Sequence, residues 1–192
     1  FGSLPKDDRP LTRAGAKAGD LVFVSGTIGD GGLGLLAGEG ALSHLNDADL
    51  SALQARYRRP EPRLALGQGL REGALAHAAM DVSDGLVQDL GHIARQSGLG
   101  ACIRRDSLPL SESAAAAVAQ DAEAWATILT GGDDYELLFT LPPARVAEVT
   151  ALAARLGLRV TEIGEMRPGE SVEVLGPDGD QIEFLSGGWS HF

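Results

Sequence analysis

Two acidic clusters carry the chemistry that this chain offers. Met80-Asp-Val-Ser-Asp-Gly-Leu86 places Asp81, Ser83 and Asp84 within four residues. Thr130-Gly-Gly-Asp-Asp-Tyr-Glu-Leu137 places Asp133, Asp134 and Glu136 behind two glycines that read as flexible. Each cluster sits where an apolar, strand-like run meets a helix or loop. Carboxylates crowded at such a junction repel one another unless a cation binds between them, and hard oxygen donors at this density suit magnesium. From spacing alone a second reading stands beside that one: Ser83 or Asp84 is an N-cap for the helix that follows, and Asp81 a solvated strand end.

Other chemistries find less support. His44, His77, His92 and His191 show no zinc-ligand spacing. Ser25, Ser43 and Ser83 lack the Gly-x-Ser-x-Gly elbow, and Cys102 has no local nucleophile signature. The glycine run from Gly26 to Gly34 matches neither the P-loop nor the dinucleotide fingerprint. It reads either as a turn that uses positive φ or as a phosphate cradle at a helix start. Trp189 and Phe192, close to the C-terminus, need a surface to pack on, core or ligand.

The elements that position these residues follow from periodicity. Strands are expected at Asp20–Ser25, Ala76–Val82, Ala101–Arg104, Tyr135–Leu141, Val160–Ile163, Val172–Leu175 and Ile182–Leu185, the last two joined as a hairpin across Pro177-Asp-Gly179. Residues 39–62 read as loop with one short helix, Leu50–Tyr57, and a further helix is expected over Arg63–Leu75. Leu86, Leu90 and Ile93 share one helix face after the first acidic cluster. Helices are also expected over Glu112–Gln120 and Glu123–Leu129, and over the Val146 to Leu156 stretch that ends at Gly157. Strands mixed with helices, closed by an antiparallel pair, predict an α+β fold: a mixed β-sheet with helical layers.

Composition bounds the rest. With 192 residues, 44% of them hydrophobic, the chain can bury one core. A formal charge of −11 and scattered basic residues argue against nucleic-acid binding, which needs clustered Lys and Arg. A single cysteine allows no internal disulfide and fits a reducing, cytoplasmic setting. No apolar run approaches the roughly 20 residues that span a bilayer, which predicts no membrane role. The chain begins Phe1-Gly-Ser-Leu-Pro without an initiator Met, so it reads as a fragment of a longer protein.

Four ordered motifs point further. Pro10-Leu-Thr-Arg-Ala-Gly-Ala-Lys-Ala-Gly-Asp20, Met80-Asp-Val-Ser-Asp-Gly-Leu86, Gly131-Gly-Asp-Asp-Tyr-Glu-Leu-Leu-Phe139 and Gly188-Trp-Ser-His-Phe192 together resemble the thiamine-monophosphate kinase family. The resemblance implies the C-terminal domain of an aminoimidazole ribonucleotide synthetase-like, ATP-using enzyme. On that plan residues 1–18 enter from a missing N-terminal domain and 19–192 form the C-terminal domain. The N-terminal domain would supply most magnesium ligands and a homodimer interface, and the fragment alone would be inactive.

The implied reaction transfers the γ-phosphoryl group of ATP to thiamine monophosphate with Mg2+. By the resemblance Asp81 and Asp84 bind metal, Arg13 and Ser83 bind ATP, and Asp133 and Trp189 meet the thiamine phosphate. At position 133 relatives commonly carry glutamate, so Asp133 keeps the carboxylate with a shorter reach. The alternatives are another enzyme of the superfamily, aminoimidazole ribonucleotide or selenophosphate synthetase-like, and a non-catalytic divalent-cation-binding interaction domain.

Overall fold

The computed structural model describes residues 9–182. Its strands are β1 (Leu21–Ser25), β2 (Ala78–Asp81), β3 (Gly100–Arg104), β4 (Leu137–Leu141), β5 (Val160–Arg167) and β6 (Val172–Leu175). Its helices are α1 (Asp30–Gly38), α2 (Asp47–Arg58), α3 (Leu64–Glu72), α4 (Leu86–Ser97), α5 (Glu112–Gln120), α6 (Ala124–Thr130) and α7 (Val146–Arg155). The strands form one six-stranded sheet in the order β2-β4-β1-β5-β3-β6. Every pairing is antiparallel except that of β3 with β6, which makes the sheet mixed and the fold α+β, as the sequence predicts.

Alternation along the central strands sends side chains to two apolar layers. Val22, Val24, Leu138, Ala78 and Met80 pack with Leu33, Leu53, Leu90 and Ile128, beneath α1, α2, α4 and α6. Phe23, Phe139, Leu141 and Ala79 pack on the other face with Leu66, Leu70, Val149 and Leu152 of α3 and α7. Phe23 and Phe139 are register partners and stack with ring centroids 5.9 Å apart. The outer edge of β2 is covered by the segment before β1: the Ala79 N–H donates to the Thr12 carbonyl at 2.9 Å, and the N–H groups of Gly15 and Ala16 donate to Ser97 Oγ at the end of α4.

Several boundaries differ from the sequence reading. β4 begins at Leu137, because Tyr135 takes a left-handed backbone (φ 52°) that cannot continue a strand. β5 runs on to Arg167, since both its edges are paired, with β1 and with β3. The short helix expected at 50–57 starts earlier, at Asp47, where the Asn46 side chain accepts from the Asp49 N–H. The turn after β6 forms as expected, with Gly176 donating to the Asp180 carbonyl and Ile182 to that of Val174. Residues 183–185 of the last expected strand lie outside the described residues.

The glycine run serves packing. A Cβ on Gly34 would collide with the Leu53 carbonyl oxygen and come within 2.7 Å of Tyr57 Cβ, so α1 and α2 cross at glycine distance. Two effects of Gly34→Ala oppose: helix propensity gains about 1 kcal/mol, and overpacking costs about 1–3 kcal/mol. Because the obstacle is backbone and cannot rotate away, the clash wins. With the cost at the upper end of that range, chemical denaturation of Gly34→Ala should show a net loss of up to about 2 kcal/mol; an unchanged or higher midpoint would contradict this packing.

Candidate functional site

Past their paired ends, β2 and β4 keep their hydrogen bonds and bring the two acidic clusters side by side. Val82 donates to the Glu136 carbonyl (2.9 Å), Tyr135 to the Val82 carbonyl (2.8 Å) and Asp133 to the Ser83 carbonyl (3.0 Å). A Cβ on Gly132 would run into the Ser83 carbonyl oxygen. Of the two glycines that read as flexible, Gly132 permits close contact between the loops, and Gly131 sits against the Thr127 carbonyl of α6 and Gly32 of α1. The register also holds Asp133 (φ 66°) and Tyr135 (φ 52°) in the left-handed region, which a tyrosine adopts only under constraint.

The second cluster divides into acids that point in and one that points out, which corrects the expectation that Asp134 and Glu136 offer ligands. Asp134 is 2% exposed, and its two carboxylate oxygens accept the N–H groups of Gly29 (2.8 Å) and Gly31 (2.9 Å) at the start of α1. The helix start that could have cradled a phosphate is thus filled by an internal anion. Burial, opposed by those two hydrogen bonds, pushes the Asp134 carboxyl up to about 7. Glu136 is fully buried and accepts from Arg63 Nε (2.7 Å) and Nη2 (2.6 Å), Arg56 Nη2 (2.9 Å) and Ser25 Oγ (2.6 Å). The hydrogen bond to Glu136 raises the Arg63 guanidinium further. Asp133 alone of the three acids stays partly exposed.

In the first cluster Asp81 is exposed, while Ser83 and Asp84 are half-buried. Neither Ser83 nor Asp84 is the N-cap; that position falls on Gly85, with φ 125°. The amides of Ser83, Asp84 and Gly85 are taken up by Asp89 Oδ2 from within the first turns of α4. Burial raises the Asp89 carboxyl to about 6 against those bonds. The sequence reading passed over Asp89; the available signal was an acid four residues past a glycine at a helix start.

Asp133, Asp81 and Asp84 all lie near enough to one phenol for their charges to act on it. Tyr135 is 41% exposed, and its hydroxyl is pushed up by desolvation and then by the negative charges of Asp133, Asp81 and Asp84. Arg13, exposed on the segment before β1, reaches the same region: burial, then Arg95, then Arg13 hold the His92 imidazole below its ordinary value, against Asp84. Oxygens of Asp84 and Asp89 and a ring nitrogen of His92 lie within 4.8 Å of one another. Arg95 Nη2 stands 3.0 Å from His92 Nδ1, so guanidinium charge crowds that ring. Asp81, Asp84 and Asp133 carry hard carboxylate oxygens, the donor type that suits a magnesium-type cation. A cleft of about 540 Å³ lined by Pro10, Leu11, Leu64, Met80 and Tyr135 opens beside Asp81. Trp189 lies outside the described residues.

Fold and site together define an α+β domain whose mixed sheet carries paired acidic loops at one end. The chain belongs to the family of the AIR synthase related protein, C-terminal domain, whose family model matches residues 17–176. It is similar to the thiamine-monophosphate kinase of Caulobacter vibrioides, 42% identical over 194 residues that cover 100% of this chain and 53% of that protein. The crystal structure of thiamine-monophosphate kinase from Stenotrophomonas maltophilia K279a superposes with a TM-score of 0.78 at 43% identity, covering 90% of this chain and 54% of that one. AaThiL complexed with AMPPCP and TMP gives a TM-score of 0.75 at 37% identity, over 95% of this chain and 54% of the other. The chain spans about half the length of the curated relatives it matches.

The inward acids make stability pH-dependent. Asp134 rises from 3.8 to about 7 on folding, so between those values the folded state holds more protons than the unfolded one. Stability therefore falls as pH rises through that window and levels off above it. Between pH 5.5 and 7.5 the loss from this group should be roughly 2 kcal/mol. Asp134→Asn should flatten that slope in urea titrations while lowering stability at every pH, since its amide group faces a backbone donor. A slope equal to that of the wild type would contradict the assignment.

Proposed function

We propose that this chain is the C-terminal domain of a magnesium-dependent phosphotransferase that uses ATP to convert thiamine monophosphate to thiamine diphosphate. The observation that carries the reading is the joining of the two acidic loops by backbone hydrogen bonds, which leaves Asp81, Asp84 and Asp133 facing outward around Tyr135. Its support is that these loops occur in a chain similar over nearly its full length to thiamine-monophosphate kinases.

In this reading Asp81 and Asp84 hold Mg2+, and Ser83 and Arg13 contact ATP. Asp133 meets the thiamine phosphate, as does Trp189. Bound magnesium neutralises phosphate charge and lets two polyanions approach. Asp81 and Asp84 orient their oxygens from a backbone pinned by the β2–β4 ladder, and Arg13 supplies a planar donor pair for phosphate oxygens. Asp133 offsets the positive charge of the thiazolium ring or accepts from the aminopyrimidine. The acceptor phosphate oxygen is already anionic near neutral pH. It attacks the γ-phosphorus, a new P–O bond forms, and the bond to the β–γ bridging oxygen breaks to release ADP. No strong general base is needed, which suits a site rich in carboxylates.

Residues 1–18 then form the entry from an N-terminal domain, with 19–192 as the C-terminal domain. The whole protein is a homodimer through that N-terminal domain and works in the cytoplasm, without nucleic-acid or membrane partners. No helix among the described residues is long and apolar enough to cross a membrane.

A coupled ADP-release assay on the full-length protein, with thiamine monophosphate, aminoimidazole ribonucleotide precursor and selenide offered separately, tests the reading. Turnover is expected with thiamine monophosphate alone. Asp84→Asn should lower kcat by at least about 100-fold, and the chain of 192 residues by itself should be inactive. Turnover only with another acceptor, or full activity in Asp84→Asn, would overturn the substrate or the metal assignment respectively.

A further inference from the structure

Asp89 touches none of the proposed ligands, yet the backbone of the Ser83-Asp84-Gly85 turn hangs from it. Its Oδ2 accepts the N–H of Ser83 at 2.9 Å, of Asp84 at 3.0 Å and of Gly85 at 3.2 Å. The residue is 0% exposed. An ordinary N-cap is impossible here, because the cap position is Gly85 at φ 125° and a Cβ there would stand 2.6 Å from the Thr130 carbonyl oxygen. Asp89 performs the capping backwards, from inside α4, and gathers three consecutive amides that otherwise point at nothing.

The other carboxylate oxygen adds a second observation. Asp89 Oδ1 is buried and has no hydrogen-bond partner among the described residues. A buried carboxylate with one unsatisfied oxygen is a poor stabiliser, since desolvation is incompletely repaid. What the arrangement does supply is geometry: one fixed oxygen aims three successive peptide planes, and with them the directions in which the Ser83 and Asp84 side chains leave the chain.

We infer that Asp89 is a positioning residue for cation and nucleotide binding, acting through the amides of residues 83–85. The inference rests on the phosphotransferase reading, in which Asp84 meets the metal and Ser83 the nucleotide. It assigns Asp89 no direct metal contact, and the neighbouring His92 belongs to the guanidinium of Arg95.

Two variants of the full-length protein separate geometry from charge. Asp89→Asn keeps an acceptor oxygen for the three amides and removes the charge. Asp89→Glu keeps the charge and displaces the acceptor by one methylene. Mn2+ affinity in the presence of a non-hydrolysable ATP analogue, read from the free-ion spin resonance signal, should fall at least about tenfold in Asp89→Glu and stay within about threefold in Asp89→Asn. Amide hydrogen exchange over residues 83–85 should quicken only in Asp89→Glu. In turnover, the Mg2+ requirement should rise while the acceptor KM stays within about twofold.

If Asp89→Glu does not fold, Asp89→Ser, too short to reach the amides, takes its place with the same expectation. Wild-type Mn2+ affinity in the folded Glu or Ser variant would overturn the inference. So would an equal loss in Asp89→Asn, which would make charge the operative property. Failure of the wild type to use thiamine monophosphate would overturn the functional reading alone, because Mn2+ affinity and amide exchange still report on Asp89.

Discussion

A carboxylate buried against the amides of a helix start is the interaction on which this molecule depends, and it occurs twice. Asp134 closes the N-terminus of α1, and Asp89 closes the turn into α4. Each exchanges water for oriented backbone donors at the positive end of a helix dipole, which tolerates a buried charge far better than an apolar pocket would. Glu136 is held the same way by the guanidinium groups of Arg56 and Arg63. In a chain of net charge −11, these acids have found partners within the fold. Those left facing outward, Asp81, Asp84 and Asp133, have no partner of comparable strength among the described residues, and on that difference rests the proposal of a cation there.

The same anchors make the outward acids rigid. Asp134 and Glu136 are pulled inward on either side of Tyr135, which forces the loop through left-handed backbone at Asp133 and Tyr135. Such strain, of order 1–3 kcal/mol per residue, survives only where surrounding bonds over-determine the path. Here those bonds are the extension of the β2–β4 ladder to Val82 and Ser83. The proposed phosphoryl transfer would gain from this, because its work is placing charges and holding reactants, with little proton transfer to arrange.

Much of this was legible in the sequence. The runs at Asp20–Ser25 and Tyr135–Leu141 emerge as β1 and, two residues shorter, β4, and the face of Leu86, Leu90 and Ile93 emerges in α4, since tertiary packing follows the same periodicity that the eye detects. What stayed hidden was the direction of each acid. Asp133 and Asp134 are adjacent and chemically identical, and only the left-handed φ at Asp133, set by a carbonyl fifty residues earlier in the chain, turns one outward and the other inward. Asp89 lies three residues after Leu86 and four before Ile93, on the buried face of α4, so its burial was open to view; what stayed hidden was its partner, the three amides of a turn that folds back over it. Gly132 was misjudged as a hinge because proximity to Ser83 cannot be read from neighbours in sequence.

On the proposed function, Asp81 and Asp84 hold a divalent cation where nucleotide phosphates bind. Anomalous diffraction from crystals of the full-length protein grown with Mn2+ and a non-hydrolysable ATP analogue tests it most directly. The account predicts manganese peaks in coordination contact with Asp81 and Asp84 and with the analogue's phosphates. Well-occupied nucleotide whose manganese ions lie wholly on other residues, with Asp81 and Asp84 uncoordinated, would contradict it.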